Sequence, residues 1–212
     1  MEQVTNGANG EICVCPRKKN DKSPAVFYAD RVTIDGKTVM YSDVAKISIY
    51  GVSTTNDVVF ETYSAYVKLT TKDGKKMKWK TGGSSFAGFG GKKLKQKKEY
   101  FYNIFEACMN TVVRSIAAEQ LSVINNGGTV TIAGITIGAK EITGKHVLKK
   151  KTIPISEVGG CRVTGGNVFI YGPEREEDIL FNGSVISLDN AVCLVPIVNS
   201  LVAANAPAAP QQ

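Results

Sequence analysis

The side chains most able to do chemistry lie in one basic segment of this 212-residue chain. Between Lys72 and Lys98 there are ten lysines and a single acidic residue, Asp73. Lysines at this density attract phosphates and other anions, so the segment predicts an anion-binding surface. The candidate binding residues are Lys75, Lys76, Lys78, Lys80, Lys92, Lys93, Lys95, Lys97 and Lys98.

A glycine-rich stretch, residues 81–91, separates the two groups of lysines and contains Phe86 and Phe89. We predict a flexible loop here. Its two phenylalanines would insert into a membrane interface while the lysines contact anionic head groups, each lysine contributing about 1 kcal/mol. The predicted function is therefore a non-catalytic binding or scaffolding module for a protein, a peptide or an anionic surface.

Two other interpretations of the lysines stay open. Lysine is common on exposed sheet edges, where it prevents strand-to-strand aggregation without binding anything. Lysine clusters also neutralise nucleic-acid phosphates, but Trp79 is expected to point inward and the sequence offers no aromatic platform for bases, so nucleic acid is the weaker partner.

Catalytic and metal-binding patterns are weak. The single histidine, His146, lies in an expected exposed hairpin, and no nucleophile or phosphate-loop motif accompanies it. Four acidic residues between Gly172 and Asp178 are typical of a solvated turn rather than a cation site. We therefore predict no enzyme activity, no cofactor and no metal.

The five cysteines do not form a recognisable framework. Their number is odd and their spacing irregular, so disulfides are not indicated. Cys13 and Cys15 form a lone C-x-C pair without the further ligands that zinc needs. We predict buried or edge-strand thiols at all five positions, which are Cys13, Cys15, Cys108, Cys161 and Cys193.

Hydrophobic periodicity predicts the elements that must position these residues. Val67, Leu69, Met77 and Trp79 alternate with lysines, as in strands with one buried face. Strands are expected from Ile12 to Trp79, with hairpin turns at Asp35-Gly36 and at residues 72–74. Apolar residues then recur every three or four positions, which predicts one helix over roughly residues 98–121, ended by Gly127.

The chain contains an internal repeat. Residues 37–45 (KTVMYSDVA) resemble residues 151–159 (KTIPISEVG), an offset of 114 residues. After the helix a second set of short strands follows, and a second apolar segment (residues 191–202) closes the chain, with Pro196 in its first turn. Two related β domains explain this order of elements best.

These residues resemble the pleckstrin-homology-like (PH-like) fold, and more closely a group of uncharacterised bacterial proteins with tandem domains of that kind. The resemblance implies a mainly β (α+β) fold of two PH-like domains, each a bent antiparallel sandwich or barrel closed by a C-terminal helix. It does not imply a chemistry. The residues that carry the resemblance are Asp35-Gly36, Tyr41-Ser42-Asp43-Val44, Tyr66-Val67-Lys68-Leu69, Ile155-Ser156-Glu157-Val158 and Leu188-Asp189-Asn190.

The expected organisation is a disordered arm (1–10), a first domain with a long C-terminal helix (11–122), a second domain (123–203) and a disordered tail (204–212). No apolar run approaches the roughly 18 residues of a membrane span, and no secretory signal is evident. We therefore expect a soluble, cytoplasmic protein that could also bind at the membrane periphery. The alternative function is self-assembly: an incompletely paired strand within residues 129–138 would make a homo-oligomer.

Overall fold

The computed structural model describes residues 10–16, 21–56, 60–86, 90–146, 149–185 and 188–206. In these ranges the fold is mainly β, with fourteen strands in four antiparallel sheets, and no sheet closes into a barrel. The strands are β1 Glu11–Cys15, β2 Ala25–Tyr28, β3 Arg31–Ile34, β4 Lys37–Met40, β5 Val44–Asn56, β6 Phe60–Thr71, β7 Lys76–Phe86, β8 Val130–Ile132, β9 Ile135–Ile137, β10 Glu141–His146, β11 Lys149–Pro154, β12 Gly160–Thr164, β13 Asn167–Tyr171 and β14 Ile179–Ser184.

The chain divides into two compact units between Ile116 and Ala117. The first unit contains a four-stranded sheet, β1-β2-β3-β4, and a three-stranded sheet, β5-β6-β7. The second contains a four-stranded sheet, β11-β10-β9-β8, and a three-stranded sheet, β12-β13-β14. Each unit therefore has the same order of strands along the chain.

A short 3-10 turn joins the two sheets of each unit. Tyr41–Asp43 follows β4, and Ile155–Glu157 follows β11, at the 114-residue offset of the sequence repeat. The first residue of each turn is buried, with Tyr41 at 3% and Ile155 at 2% exposure. The repeated residues thus occupy the same structural position in both units.

The predicted hairpin turns are confirmed. Asp35 and Gly36, between β3 and β4, have φ angles of 49° and 73°, and such a pair of left-handed residues matches the twist of a two-residue hairpin. Gly74 has φ 84° in the turn between β6 and β7. The predicted alternation is confirmed at Val67, Leu69 and Trp79, which are buried. The lysines of β7 are exposed, while Met77 and Lys68 are only half-buried.

The single helix predicted over residues 98–121 is wrong. The structure has two helices, α1 Gly91–Asn110 and α2 Val112–Asn125, separated at Thr111 with φ −126° and ψ −91°. The Thr111 hydroxyl donates to the Ala107 carbonyl at 2.6 Å, a side-chain bond that competes with helical geometry and bends the chain. After α2, Gly127 with φ 83° caps the helix as predicted.

The third helix, α3 Leu194–Asn205, has Pro196 in its first turn, where proline is tolerated. Because α3 continues to Asn205, the tail predicted from residue 204 begins inside a helix. The remainder of that tail, 207–212, and most of the predicted N-terminal arm, 1–9, lie outside the described residues. Among the helices that the structure describes, none is both long enough and apolar enough to span a bilayer.

Candidate anion-binding face

The register of the first unit's three-stranded sheet gathers lysines from all three strands on one face. In the first cross-strand row, Lys46 lies opposite Thr70, which lies opposite Lys76. The next two rows on the same face are Ser48, Lys68 and Lys78, and then Tyr50, Tyr66 and Lys80. Residues directly opposite each other in antiparallel strands share a face. We call this set the basic face; it consists of Lys46, Lys68, Lys76, Lys78, Lys80, Tyr50 and Tyr66.

Two tyrosines stack in the last cross-strand row of the basic face, beside Lys80. The rings of Tyr50 and Tyr66 have centroids 5.1 Å apart and an interplanar angle of 13°. The Lys78 ammonium lies 4.0 Å from the centroid of the Tyr66 ring, within the range of a cation–π contact. The cationic and aromatic groups therefore form one continuous patch rather than isolated side chains.

A pair of phenylalanines ends the same face of the sheet. Phe60 and Phe86 are directly opposite each other on β6 and β7, and they are 37% and 61% exposed. Residues 81–86 belong to β7, so the prediction of a loop is wrong for them. Phe89 lies outside the described residues. We call Phe60 and Phe86 the aromatic end.

The two glycines in this part of β7 explain why the segment did not resemble a strand in sequence. A Cβ on Gly82 would lie 2.6 Å from the Tyr63 carbonyl oxygen, and one on Gly83 would lie 2.8 Å from the Lys97 ammonium. The backbone of β7 therefore approaches β6 too closely for a side chain at Gly82, whereas at Gly83 only the mobile end of the Lys97 side chain is in the way. Pairing with β6 holds the strand in place despite the low strand propensity of glycine.

Acidic side chains are missing from the outward positions of β5, β6 and β7 in the part of the chain that the structure describes. Glu61 belongs to the opposite, inner face, which α1 covers. There Phe101 of α1 contacts Tyr63 edge-to-face, with centroids 6.3 Å apart, and approaches Gly51. The outward face of these described strands therefore carries lysines and no aspartate or glutamate.

The structure divides the nine predicted lysines among different surroundings. Lys76, Lys78 and Lys80 lie together on the basic face. Lys92, Lys93 and Lys95 are exposed, but they belong to the first turns of α1, on the other side of the sheet. The predicted site is therefore two lysine groups on opposite sides of the β5-β6-β7 sheet.

Two lysines of α1 bind the sheet itself. Lys97 donates to the carbonyl of Gly82, and Lys98 forms an ion pair with Glu61, which also accepts from Ser53. The Lys98 hydrogen bond, aided by that from Ser53, lowers the pKa of Glu61. These two ammonium groups anchor the helix to the strands, so they are less available to an external anion than their neighbours.

Lys75 is paired within its own turn. Its ammonium lies 2.8 Å from the Asp73 carboxylate, and this hydrogen bond, with a second from Thr71, lowers the pKa of Asp73 to about 2. The turn borders a cleft of about 670 Å³ between β4 and the hairpin of β6 and β7. Lys37, Lys72 and Lys76 also line this cleft, and Asp43 lies among them, so a net positive charge continues from the basic face around the end of the sheet.

Sequence reasoning did not identify Lys46, Lys68, Tyr50, Tyr66 or Phe60 as site residues. The period-two pattern of β5 and β6 placed them on the outward face, but only the register shows which of them adjoin Lys76, Lys78 and Lys80. Phe60 in particular is 26 residues from its partner Phe86. Register was the missing information.

The remaining candidates belong to elements other than β5, β6 and β7. All five cysteines are free thiols, and four are buried, as predicted. Among the described residues, no three His, Cys, Asp or Glu side chains are placed to hold a metal ion. In the acidic turn, Glu176 forms an ion pair with Arg162. His146 ends β10 with Lys149 opposite it in the hairpin.

A search of protein-family descriptions and of curated proteins found nothing that matches this chain.

Proposed function

We propose that the protein is a non-catalytic module with two PH-like domains, and that the basic face of the first domain binds an anionic membrane surface. Four strands, a 3-10 turn, three strands and a helix follow one another in each unit, and this order supports the PH-like assignment. The observation that carries the function is the placement of five lysines, two stacked tyrosines and two exposed phenylalanines on one acid-free face.

The arrangement has the components of an interfacial site. Lysines bind lipid phosphates electrostatically, tyrosines are favoured at the head-group level, and phenylalanines bury apolar area below it. Lys80 and Phe86 are six residues apart along β7, a distance of about 20 Å at the usual strand rise. A flat approach of the sheet would bring the basic face and the aromatic end to the bilayer together.

The geometry favours a membrane over nucleic acid for one specific reason. Tyr50 and Tyr66 stack on each other and Lys78 lies over Tyr66, so a large part of their ring area is already occupied within the protein. Bases that bind a sheet surface need free aromatic faces. The phenylalanines, in contrast, project at the rim, where they suit a lipid interface.

The test is flotation of the full-length protein with neutral and anionic phospholipid vesicles at low and high salt. We expect salt-sensitive binding to the anionic vesicles alone. Replacing Lys76, Lys78 and Lys80 by glutamine should weaken it more than tenfold, since each lysine near such a surface contributes about 1 kcal/mol. Phe86→Ser should weaken binding at both salt concentrations, because apolar insertion is not screened.

The second unit supplies a matched control. Lys145, Lys150 and Lys151 are exposed lysines in the hairpin of β10 and β11, and replacing all three by glutamine removes the same charge. If this control weakens vesicle binding as much as the basic-face variant does, binding reflects net charge and the proposed face is wrong. Absence of binding to anionic vesicles at low salt would also reject the proposal, and a parallel assay with single-stranded DNA would identify a nucleic-acid surface instead.

A further inference from the structure

A pair of cysteines in the first strand forms a separate group that the membrane hypothesis does not use. Cys13 and Cys15 are two residues apart on β1, opposite Phe27 and Ala25 of β2, so their side chains share one face. Their sulfur atoms are 3.5 Å apart, whereas a disulfide has a length of about 2 Å. The two sulfur atoms would have to move about 1.5 Å closer together to form a disulfide.

The two thiols have different surroundings. Cys13 is partly exposed, and Cys15 is fully buried. The β1 strand is an edge of its sheet in the described residues, since it pairs with β2 alone. A reagent can therefore reach Cys13 from solvent, while Cys15 is buried near two other thiols, those of Cys13 and Cys108.

The hydrogen bond between the thiols prepares Cys13 for reaction. With the Cys15 thiol as donor, it lowers the pKa of Cys13 to about 7, although partial burial and the negative charge of Glu106 act in the opposite direction. The same bond, together with burial, raises the pKa of Cys15. A thiol with a pKa near ambient pH combines a large thiolate fraction with good nucleophilicity.

We propose that Cys13 and Cys15 form a thiol–disulfide exchange site, with Cys13 as the nucleophile and Cys15 as the resolving thiol, for low-molecular-weight disulfides. The site is independent of the proposed membrane binding. Its geometry consists of one accessible sulfur and one buried sulfur within contact distance.

The reaction has two balanced steps. The Cys13 thiolate attacks one sulfur of the small disulfide, so a mixed disulfide forms and one small thiolate leaves. Cys15 then loses its proton to solvent or to that thiolate and attacks the Cys13 sulfur, releasing the second small thiol. Two protein thiols are oxidised to a Cys13–Cys15 disulfide, and one small disulfide is reduced to two thiols.

The first step also promotes the second. In the mixed disulfide Cys13 no longer carries a negative charge, so its contribution to the raised pKa of Cys15 is removed. Cys15 is then deprotonated more readily, at a distance from which the bond can close. The order of events, attack by Cys13 and resolution by Cys15, follows from this asymmetry.

The test is incubation of the reduced, full-length protein with oxidised glutathione, followed by alkylation and mass mapping. Cys13 and Cys15 lie in one tryptic peptide, residues 1–17, because Arg17 is the first basic residue of the chain. We expect this peptide to lose the mass of two hydrogen atoms without retaining glutathione. Cys161 and Cys193 are internal controls: burial raises the pKa of each thiol to about 12, so they should react at least tenfold more slowly.

Two variants separate the roles. Cys15→Ser should accumulate a glutathione adduct at Cys13, and Cys13→Ser should leave Cys15 unmodified. Cys13 reacting no faster than Cys161 or Cys193 would overturn the proposal, as would a stable glutathione adduct at Cys13 of the unsubstituted protein.

If a variant does not fold, phenylarsine oxide, which bridges two close thiols, tests the unsubstituted protein. One arsenical retained on residues 1–17 supports the pair, and no retained arsenical rejects it.

Discussion

At the scale of single residues, Tyr41 links the 3-10 turn of the first unit to the elements around it. Its hydroxyl donates to the carbonyl of Tyr28 at 2.9 Å, and the side chain is 3% exposed. Burial raises the pKa of Tyr41 to about 12, although hydrogen bonding with Thr111 opposes the shift. One buried phenol thus joins the β2 strand, the turn and the break between α1 and α2.

Tyr41→Phe should lower the free energy of unfolding at pH 7 by about 1 kcal/mol, since the partly buried Tyr28 carbonyl loses its donor. The pH dependence has a defined sign. The unfolded phenol releases its proton near pH 10, whereas the folded one retains it to about pH 12. The contribution of Tyr41 is therefore complete below about pH 10 and declines as the pH rises to about 12.

Urea unfolding of both proteins between pH 7 and pH 12 measures this effect. The two curves of unfolding free energy against pH should approach each other above about pH 10, because only the unsubstituted protein contains the phenol. Parallel curves over that range would show that Tyr41 ionises equally in the folded and unfolded chain, and that its burial has no energetic consequence.

At the scale of elements, the first turn of α1 is electrostatically unfavourable. Lys92 and Lys93 lie there with no acidic residue, and the preceding Gly90, with φ 84°, provides no side-chain cap. Positive charge at a helix N-terminus opposes the helix dipole. The segment retains its helix through packing instead, with Leu94 and Tyr100 buried.

Lys92→Glu and Lys93→Glu should each raise the free energy of unfolding by about 0.3–1 kcal/mol, because a carboxylate replaces a cation at the positive end of the dipole. Glutamate at position 93 also faces Lys97 one turn later. Thermal and urea unfolding at low salt measure the gain. Lys92→Gln is the control; a gain from glutamine equal to that from glutamate would show that only lysine repulsion is relieved.

The same elements show what the sequence could and could not predict. Alternation in β6 and β7 predicted the buried Val67, Leu69 and Trp79 because one face of each strand meets the core. The start of α1 was missed since its first turns offer only Leu94 as an apolar residue, which gives no helical period. The break at Thr111 depends on one local hydroxyl–carbonyl bond, which a threonine in a helical pattern does not always form. The β7 strand beyond Lys80 depends on pairing with β6, which its own residues do not encode.

At the scale of the whole molecule, the positive charge is unequally distributed. Residues 1–120 contain 19 basic and 12 acidic residues, while residues 121–212 contain seven of each. Because Glu119 belongs to the second unit, the first unit contains 19 basic and 11 acidic residues, and the whole excess lies in this unit, which also carries the basic face. Such a distribution orients a molecule in the field of an anionic surface before contact is made.

Contact charges and distant charges should then affect different rate constants. Lys78 and Lys80 lie on the face proposed to touch the bilayer, whereas Lys93 and Lys95 lie on α1, beyond the sheet. Charges at a contact chiefly govern dissociation, while charges outside it act through the long-range field and chiefly govern association. Lys78→Gln with Lys80→Gln should accelerate dissociation from anionic vesicles severalfold. Lys93→Gln with Lys95→Gln should slow association at low salt alone, since the field is screened beyond about 10 Å at 0.1 M.

Stopped-flow fluorescence can follow both steps, using the single tryptophan, Trp79 on β7, as donor to a dansyl-labelled lipid. Trp79 is 6% exposed and points to the core, so the substitutions leave its surroundings intact. If the α1 pair accelerates dissociation as much as the pair on the basic face, the helix touches the membrane too. The bilayer would then meet the rim of the unit, where both sides of the sheet are accessible, rather than the flat basic face.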